Sequence, residues 1–381
     1  ARALLSTMAG SMITVAGVTF SMTLLAVSHA SAQIGPRLLV GFMSDRGNQM
    51  TLGTFIATFL YCLIVLRTVH GDAPGDADGA VTPFVPHVAI LVALALAVLS
   101  VAVLIYFIHH VPQSINVCNV IARVGDELVE GIQVMYPERL GQERLGQDRS
   151  HDQATRDRPA DFEANSRVLA VAGQGGYLRL LDTDGLLAVA KTNDLLVEMQ
   201  LRPGDFGIAG QPLLRVGPVD RLNEDIIIAI HDVFSWGAER TQQQDVMFPA
   251  EQLIEVLGKA MSPGINGQFT ALLCLDQLAR AFAEILGRDV PDAYRYDSDD
   301  QLRVIATPVT HEEFVAHNMS LVRQFIRGDW IACNHILKQF GRLLEMPQLE
   351  DRAALLKKEV ELIRQDIQRS DMAENEKQLL L

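Results

Sequence analysis

The chain has 381 residues, of which 49% are hydrophobic and 20% are charged, and its formal net charge is −14. This acidic balance argues against a nucleic-acid partner, which requires a clustered basic face. The four cysteines are far apart and none forms a CxxC pair, so neither a disulfide framework nor a zinc site is predicted. The hydrophobic excess is concentrated before residue 110, and the length allows two or three folding units.

Three apolar stretches in this first part are long enough to be transmembrane helices. They run from about Leu4 to Ala32, from about Leu52 to Val69 and from about Val88 to Ile108. Each approaches the roughly 20 apolar residues that cross a hydrocarbon core of about 30 Å. The lipid bilayer is therefore the first predicted partner of the chain.

The loops between these stretches predict their orientation. The first loop carries Arg37 and Arg46, whereas the second has no lysine or arginine and carries three aspartates. Because cytoplasmic loops are enriched in basic residues, the first loop and everything after the third span are predicted to be cytoplasmic. Ala1 then lies outside, so we expect a fourth span upstream of it, with a cleaved signal peptide as the alternative.

One face of the first span carries small and hydroxyl residues at heptad spacing, and residues seven apart share a helix face. This face, named here the hydroxyl stripe, consists of Thr7, Gly10, Thr14, Gly17, Ser21 and Ser28. Small residues allow helices to pack closely, and hydroxyls hydrogen-bond across the contact or back onto the helix. Alternatively, hydroxyls line a pore and replace water around a solute. Both interpretations stay open, since an oligomer can pack with the stripe toward its axis.

Polar residues follow the hydroxyl stripe at the predicted cytoplasmic mouth, where Pro36 breaks the helix. They are His29, Arg37, Asp45 and Arg46. One interpretation is an amphipathic anchoring elbow on the inner membrane surface, with an ion pair inside the segment and His29 at the interface. The other is a charge gate formed by a ring of arginines.

The region after the spans changes from helix to strand. Residues 109–140 are predicted to continue as a helix, and residues 141–160 to form an exposed charged linker. Residues 165–218 alternate short apolar runs with turn residues, which is typical of strands. The stretch "RPGDFGIAGQPLLRV" resembles a hairpin of barrel-sandwich domains related to biotinyl and lipoyl carriers, which predicts a small β-barrel-like domain used for assembly. No lysine lies between methionines at a hairpin tip, so no cofactor is expected.

Residues 221–288 are predicted to be helical, with two polar, glycine-bearing loops between the helices. Loops of this kind often carry function. The first loop offers Arg240, Thr241, Gln244 and Asp245, which we expect to face Ser262, Asn266 and Thr270 of the second. The local alternative is that Ser262 caps a helix with Pro263 at its first position.

The last part of the chain is predicted to contain a hairpin and further helices. The hairpin occupies residues 293–307, and helices follow at about 311–327 and 330–345. Residues 350–380 are highly charged, with an apolar side, and are predicted to form one helix that is solvent-facing or coiled-coil-like.

The sequence lacks three common catalytic motifs. His311 and His317 are six residues apart in "HEEFVAH", whereas a zinc-protease helix needs a spacing of four. There is no GxSxG motif and no Walker loop. We therefore expect no enzyme, no catalytic residues and no metal site.

Five stretches together resemble one family, and they cover nearly the whole chain. They are "STMAGSMITVAGVTFSMTLLAVSHASAQIGPRLL", "GNQMTLGTFIATFLYCLIVLRTV", "LIYFIHHVPQSI", "GAERTQQQD" and "SPGINGQFTA". The resemblance is to the bacterial predicted membrane proteins of the domain-of-unknown-function 2254 family. It implies an upstream membrane helix and the bacterial inner membrane, and it supplies no activity. The family usually continues with Asp-Pro after "SPGIN", whereas Gly267 and Gln268 stand here, which weakens any catalytic role for this loop.

The predicted architecture is a membrane α-helical part followed by a cytoplasmic α+β part with a small β-barrel-like domain and a helical domain. The expected boundaries are 1–110 for the transmembrane domain, 111–160 for the helix and linker, 161–220 for the β domain, 221–345 for the helical domain and 346–381 for the charged helix.

Two functions are compatible with this organisation. The first is a homo-oligomeric ion channel or pore with a cytoplasmic vestibule or sensor, whose layout resembles that of small-conductance mechanosensitive channels. The second is a non-conducting scaffold or sensor, an accessory subunit that binds a protein partner through its cytoplasmic domain.

Overall fold

The computed structural model describes residues 1–34, 46–69, 85–136, 158–173 and 175–380. The chain divides into two compact units. Residues 1–120 form the first, called the helical unit, and residues 121–381 form the second, called the mixed unit.

The helical unit contains three long helices. They are α1 (Arg2–Ile34), α2 (Arg46–Thr68) and α3 (His87–Ile115). Each contains a stretch that is long and apolar enough to cross a membrane: Arg2–Ser28, Arg46–Thr68 and His87–Val111. The three predicted spans are therefore confirmed as candidate spans, while their orientation and the upstream fourth span stay predictions.

The three helices pack around a small apolar core that also contains a polar contact between α2 and α3. Leu5 and Ala9 of α1 pack with Cys62 and Val65 of α2, and all four side chains are buried. The hydroxyls of Thr58 on α2 and Ser100 on α3 lie 3.1 Å apart and are also buried. Each hydroxyl also lies 2.8 Å from a carbonyl of its own helix, that of Thr54 or Leu96, so both polar groups are satisfied where lipid offers no partner.

Residues 109–140 do not form the single helix that was predicted. Helix α3 ends at Ile115, and α4 (Val117–Met135) begins after Asn116, whose backbone has φ −59° and ψ 122°. The side chain of Asn116 accepts a hydrogen bond of 2.9 Å from the Cys118 N–H. Such a side-chain acceptor competes with the continuing helix and starts a new one. Most of the predicted linker lies outside the described residues.

The mixed unit contains two open sheets. The strands are β1 (Arg167–Ala170), β2 (Gly176–Leu181), β3 (Leu196–Met199), β4 (Phe206–Gly207), β5 (Pro212–Gly217), β6 (Phe234–Gly237), β7 (Tyr294–Tyr296) and β8 (Leu302–Ile305). One sheet has the order β1-β5-β3-β8-β7 and the other has the order β4-β2-β6. Only β3 and β8 pair in parallel among the described strands, with Val197 opposite Val304.

The expected barrel-like domain is wrong, because no closed barrel forms among the described residues. The hairpin of β7 and β8, which was predicted at 293–307, extends the sheet of β1, β3 and β5 by pairing next to β3. In a closed barrel of residues 161–220, that edge of β3 would pair with another strand of the same domain. Residues Thr183–Thr192 form a helix, α5, where strands were predicted. Asp182 caps α5 by accepting the Gly185 N–H at 3.0 Å, and Leu186 and Ala190 bury one face.

The remaining helices of the described residues include three that pack together through aromatic side chains. In chain order, the remaining helices are α6 (Glu224–Asp232), α7 (Met247–Ala260), α8 (Gln268–Leu286), α9 (His311–Ile326), α10 (Trp330–Leu344), α11 (Ala353–Arg369) and α12 (Glu374–Leu380). The ring of Phe282 packs edge-to-face on Phe314 and Phe340, with centroids 5.9 Å apart in both pairs. Helices α9 and α10 lie where they were predicted.

The predicted helix over 350–380 is two helices. A 3₁₀ turn at Pro347–Arg352 precedes α11, and Ser370 ends α11 with an extended backbone at φ −78° and ψ 164°. The Ser370 hydroxyl donates to the Ile367 carbonyl at 2.7 Å, which satisfies a carbonyl at the helix end. Helix α12 then starts at Glu374.

Candidate functional site

Helix α1 has two opposite faces, and both are rich in small residues. Leu5, Ala9, Ala16 and Thr19 are at most 5% exposed and form the face that is covered within the chain. All six residues of the hydroxyl stripe are exposed. The stripe is offset from the covered face by two residues, or about 200° on a helix with 3.6 residues per turn. It therefore faces away from α2 and α3.

The hydroxyl stripe contains no large side chain, and one hydroxyl at its centre already forms a hydrogen bond within the helix. The Thr14 hydroxyl donates to the Gly10 carbonyl at 2.8 Å, so its proton is used within the helix. A Cβ atom added at Gly10 or Gly17 would meet nothing within 4 Å. The stripe is thus a shallow groove that a single chain does not fill.

The predicted mouth is only partly described. His29 lies in the helical backbone of α1, but its side chain is outside the described part, as are Arg37, Asp45 and the break at Pro36. Arg46 is the exposed first residue of α2. The sequence did not reveal that the next residue, Gly47, packs against α3. A Cβ there would lie 2.7 Å from the Nε2 atom of His110.

The two polar loops of the mixed unit do not face each other. One precedes α7 and the other follows it, and 14 helical residues separate them by about 20 Å. Ser262 does not cap a helix start, because its hydroxyl donates to the Lys259 carbonyl at 2.6 Å at the end of α7. Asn266 has φ 47°, a left-handed backbone that asparagine tolerates.

The first loop instead forms a buried charge network, named here the Arg240 network. Arg240 is 17% exposed; its Nε donates to Asp245 Oδ2 at 2.8 Å and its Nη1 to Glu251 Oε2 at 2.6 Å. The other Glu251 oxygen lies 3.2 Å from His317 Nε2 on α9. Asp245 Oδ1 accepts the N–H groups of Met247 and Phe248, so Asp245 also caps α7.

Sequence reasoning found Arg240 and Asp245 but missed their partners. Glu251 carries no local signal, since it is one of two glutamates on an amphipathic helix and nothing in the sequence distinguishes it from Glu255. His317 was considered only as a zinc ligand. Gly204 was also missed: it has φ 97°, and an added Cβ would lie 2.3 Å from Asp245 Oδ2. Only glycine leaves room there for the carboxylate.

Burial and charge act in opposite directions on the acidic residues of this region. Burial raises the pKa of Asp245, while the Arg240 guanidinium partly offsets this by favouring the carboxylate. The hydrogen-bonded guanidinium of Arg202 lowers the pKa of Glu313. Arg202 binds Glu313 through both terminal nitrogens, in the bidentate geometry of strong guanidinium–carboxylate pairs.

A pH prediction follows from the Arg202–Glu313 pair. Because the folded pKa of Glu313 is depressed, the pair stabilises the protein above the ordinary glutamate pKa of about 4.3. That stabilisation is lost as the pH falls through the lower, folded pKa. We expect Glu313→Gln to lower the unfolding temperature at neutral pH. On acidification, the unfolding temperature of this variant should fall less than that of the parent protein. Tryptophan fluorescence measured between about pH 3 and pH 7 checks this.

The matched control is Glu312→Gln, one position earlier in the chain. It removes an exposed carboxylate that pairs with Lys358. Parallel pH profiles for the parent protein and Glu313→Gln would contradict the assignment.

The Arg240 network and the Arg202–Glu313 pair border one cleft of about 480 Å³ in the mixed unit. Apolar side chains form much of its lining, among them Leu181, Phe206, Met247 and Val309. Glu313 and His317 are four residues apart on α9, so they lie on the same face of that helix and reach the same cleft. Ser262 and Asn266 do not line it.

The three candidate spans and the mixed unit that follows them define a membrane protein. A family model described as "Predicted membrane protein (DUF2254)" matches residues 1–341. The chain belongs to this domain-of-unknown-function 2254 family.

Relatives of the chain occur in mycobacteria. Uncharacterized proteins of Mycobacterium bovis and of two strains of Mycobacterium tuberculosis are each 31% identical to this chain over 313 residues. The matches cover 79% of this chain and 56% of each relative, so the chain spans about half the length of the curated relatives it matches. No solved structure matches the chain.

Proposed function

We propose that the protein is a homo-oligomer in the bacterial inner membrane, in which the hydroxyl stripes of several copies meet around an axis and line an ion channel or pore. The mixed unit, in the cytoplasm, serves as its vestibule or sensor. The observation that carries this proposal is the placement of the stripe opposite the covered face of α1.

The physical argument concerns what a small-residue face does in lipid. Lipid tails offer no hydrophobic drive for helix association, so helices associate through close van der Waals contact and hydrogen bonds. Gly10 and Gly17 are seven residues apart on one face and leave room for a neighbouring backbone. Around an axis, the exposed hydroxyls of Thr7, Thr14, Ser21 and Ser28 offer oxygen atoms to a hydrated solute.

A non-conducting scaffold is the second candidate, and one observation favours it. The Thr14 hydroxyl is bonded to the Gly10 carbonyl of its own helix, so this part of the stripe is satisfied without water. The stripes then pack helix against helix with no lumen. In this case the mixed unit recruits a protein partner.

Planar-bilayer recording on the purified protein tests the pore. We expect unitary conductance under voltage, tension or a change of pH. Silence under all three conditions, with the oligomer intact by cross-linking, would refute the pore and leave the scaffold.

A further inference from the structure

We propose that the cleft bordered by the Arg240 network and the Arg202–Glu313 pair binds a small uncharged amphiphile whose polar head accepts hydrogen bonds, such as an amide, ester or ketone. The proposal concerns the mixed unit alone and does not depend on whether the protein conducts.

The size and lining of the cleft suit a small organic molecule. Its volume of about 480 Å³ lies within the range of roughly 300–1,000 Å³ typical of ligand pockets. Such pockets combine apolar walls with a few polar groups that orient the ligand. Here Leu181, Phe206 and Val309 contribute apolar wall, and the charged pairs contribute the polar groups.

Every carboxylate oxygen in the charged pairs already has at least one hydrogen-bond donor within reach. Both oxygens of Glu313 accept from Arg202, and the two oxygens of Glu251 contact Arg240 and His317. Asp245 accepts from Arg240 and from two backbone N–H groups. A ligand head that donates hydrogen bonds therefore finds Asp245 filled and reaches only the second lone pair of each Glu251 and Glu313 oxygen.

Hydrogen-bond donors, in contrast, remain. A guanidinium has five N–H groups. Arg202 uses two terminal nitrogens on Glu313, and Arg240 engages Asp245 and Glu251 through its three nitrogens, each terminal nitrogen keeping a second N–H. The cleft thus offers spare donors to an acceptor on the ligand.

The charge balance then selects against ions. The charged side chains that line the cleft are three arginines and four carboxylates, namely Arg202, Arg240, Arg295, Asp205, Asp245, Glu251 and Glu313. His317 lines the cleft as well, so the opposite charges nearly balance. An ionic head therefore gains little net attraction there and still loses its hydration, whereas an uncharged acceptor uses the spare donors at a lower desolvation cost.

The test uses three probes that share one body and differ only in the head: 4-phenylbutanamide, 4-phenylbutanoate and 4-phenylbutylamine. Binding to the full chain in lipid nanodiscs is measured by saturation-transfer NMR, with empty nanodiscs subtracted. We expect the amide to bind about tenfold more tightly than either ion, because the ammonium head has no acceptor for the spare N–H groups and the carboxylate head loses its hydration without a net charge attraction in return.

A substitution locates the binding. Thr307 is exposed and lines the cleft, so Thr307→Trp fills the space from the surface without changing the core. Thr192→Trp, at an exposed threonine away from the cleft, is the matched control. We expect the first to weaken amide binding about tenfold and the second to leave it unchanged. Equal binding of all three probes, a preference for either ion, or equal binding by the two variants would overturn the proposal.

Discussion

Replacing Gly17 with leucine is expected to leave each chain folded and to abolish its oligomer. An added Cβ at Gly17 meets nothing within 4 Å, so the packing of α1 on α2 is undisturbed within the chain. Between copies, however, the leucine side chain separates two helix backbones at the small-residue face. We expect the association constant to fall at least about tenfold, as measured by cross-linking and mass analysis in detergent.

Two controls isolate this effect. Met22→Leu changes an exposed residue that lies one position, or about 100°, from Ser21 and off the hydroxyl stripe, and we expect it to leave the oligomer intact. Ala16→Leu enlarges a residue that is 3% exposed on the covered face, so it should destabilise the chain itself.

The outcome for Gly17→Leu also distinguishes a stripe that lines a pore from a stripe that packs against a neighbouring helix. An oligomer that survives but no longer conducts places Gly17 in a pore rather than in a helix contact. An oligomer and a conductance that are both unchanged would mean that the stripe faces lipid, which contradicts the proposed assembly.

Replacing Asp245 with alanine is expected to lower the free energy of unfolding of the mixed unit by about 3 kcal/mol, the lower end of the cost of breaking a buried ion pair, because Arg240 keeps its bond to Glu251. Arg240 is 17% exposed and would lose two of its three contacts with carboxylates. Helix α7 would also lose the acceptor for the Met247 and Phe248 N–H groups. Both tryptophans, Trp236 and Trp330, lie in this unit, so denaturant unfolding of the full chain can be followed by their fluorescence.

Glu251→Gln is the matched comparison for this prediction. It removes the second carboxylate of the Arg240 network but leaves Arg240 paired with Asp245 and leaves the cap of α7 in place. We expect a clearly smaller loss of stability. If the two variants lose the same amount, Asp245 has no special role as the centre of the network.

Local sequence patterns predicted the parts of this fold that depend on neighbours in the chain. The spans follow from apolar composition, and α9 and α10 follow from helical periodicity. The hydroxyl stripe follows from heptad spacing alone. Arg240 and Asp245 were singled out because they lie in a polar loop between strong helices. Their partners Glu251 and His317 lie on α7 and α9, and no local pattern joins them.

The sequence by itself therefore determined that this is a membrane protein with three candidate spans, a small-residue face on the first and a mixed unit after the third. Only the tertiary structure decided which face of α1 is covered, because alanine and threonine on one side and glycine, serine and threonine on the other are equally able to pack. It also placed β8 beside β3, about 100 residues away along the chain, in an open sheet where a barrel was expected. These choices depend on contacts between distant segments, whose side-chain fit is absent from any local pattern.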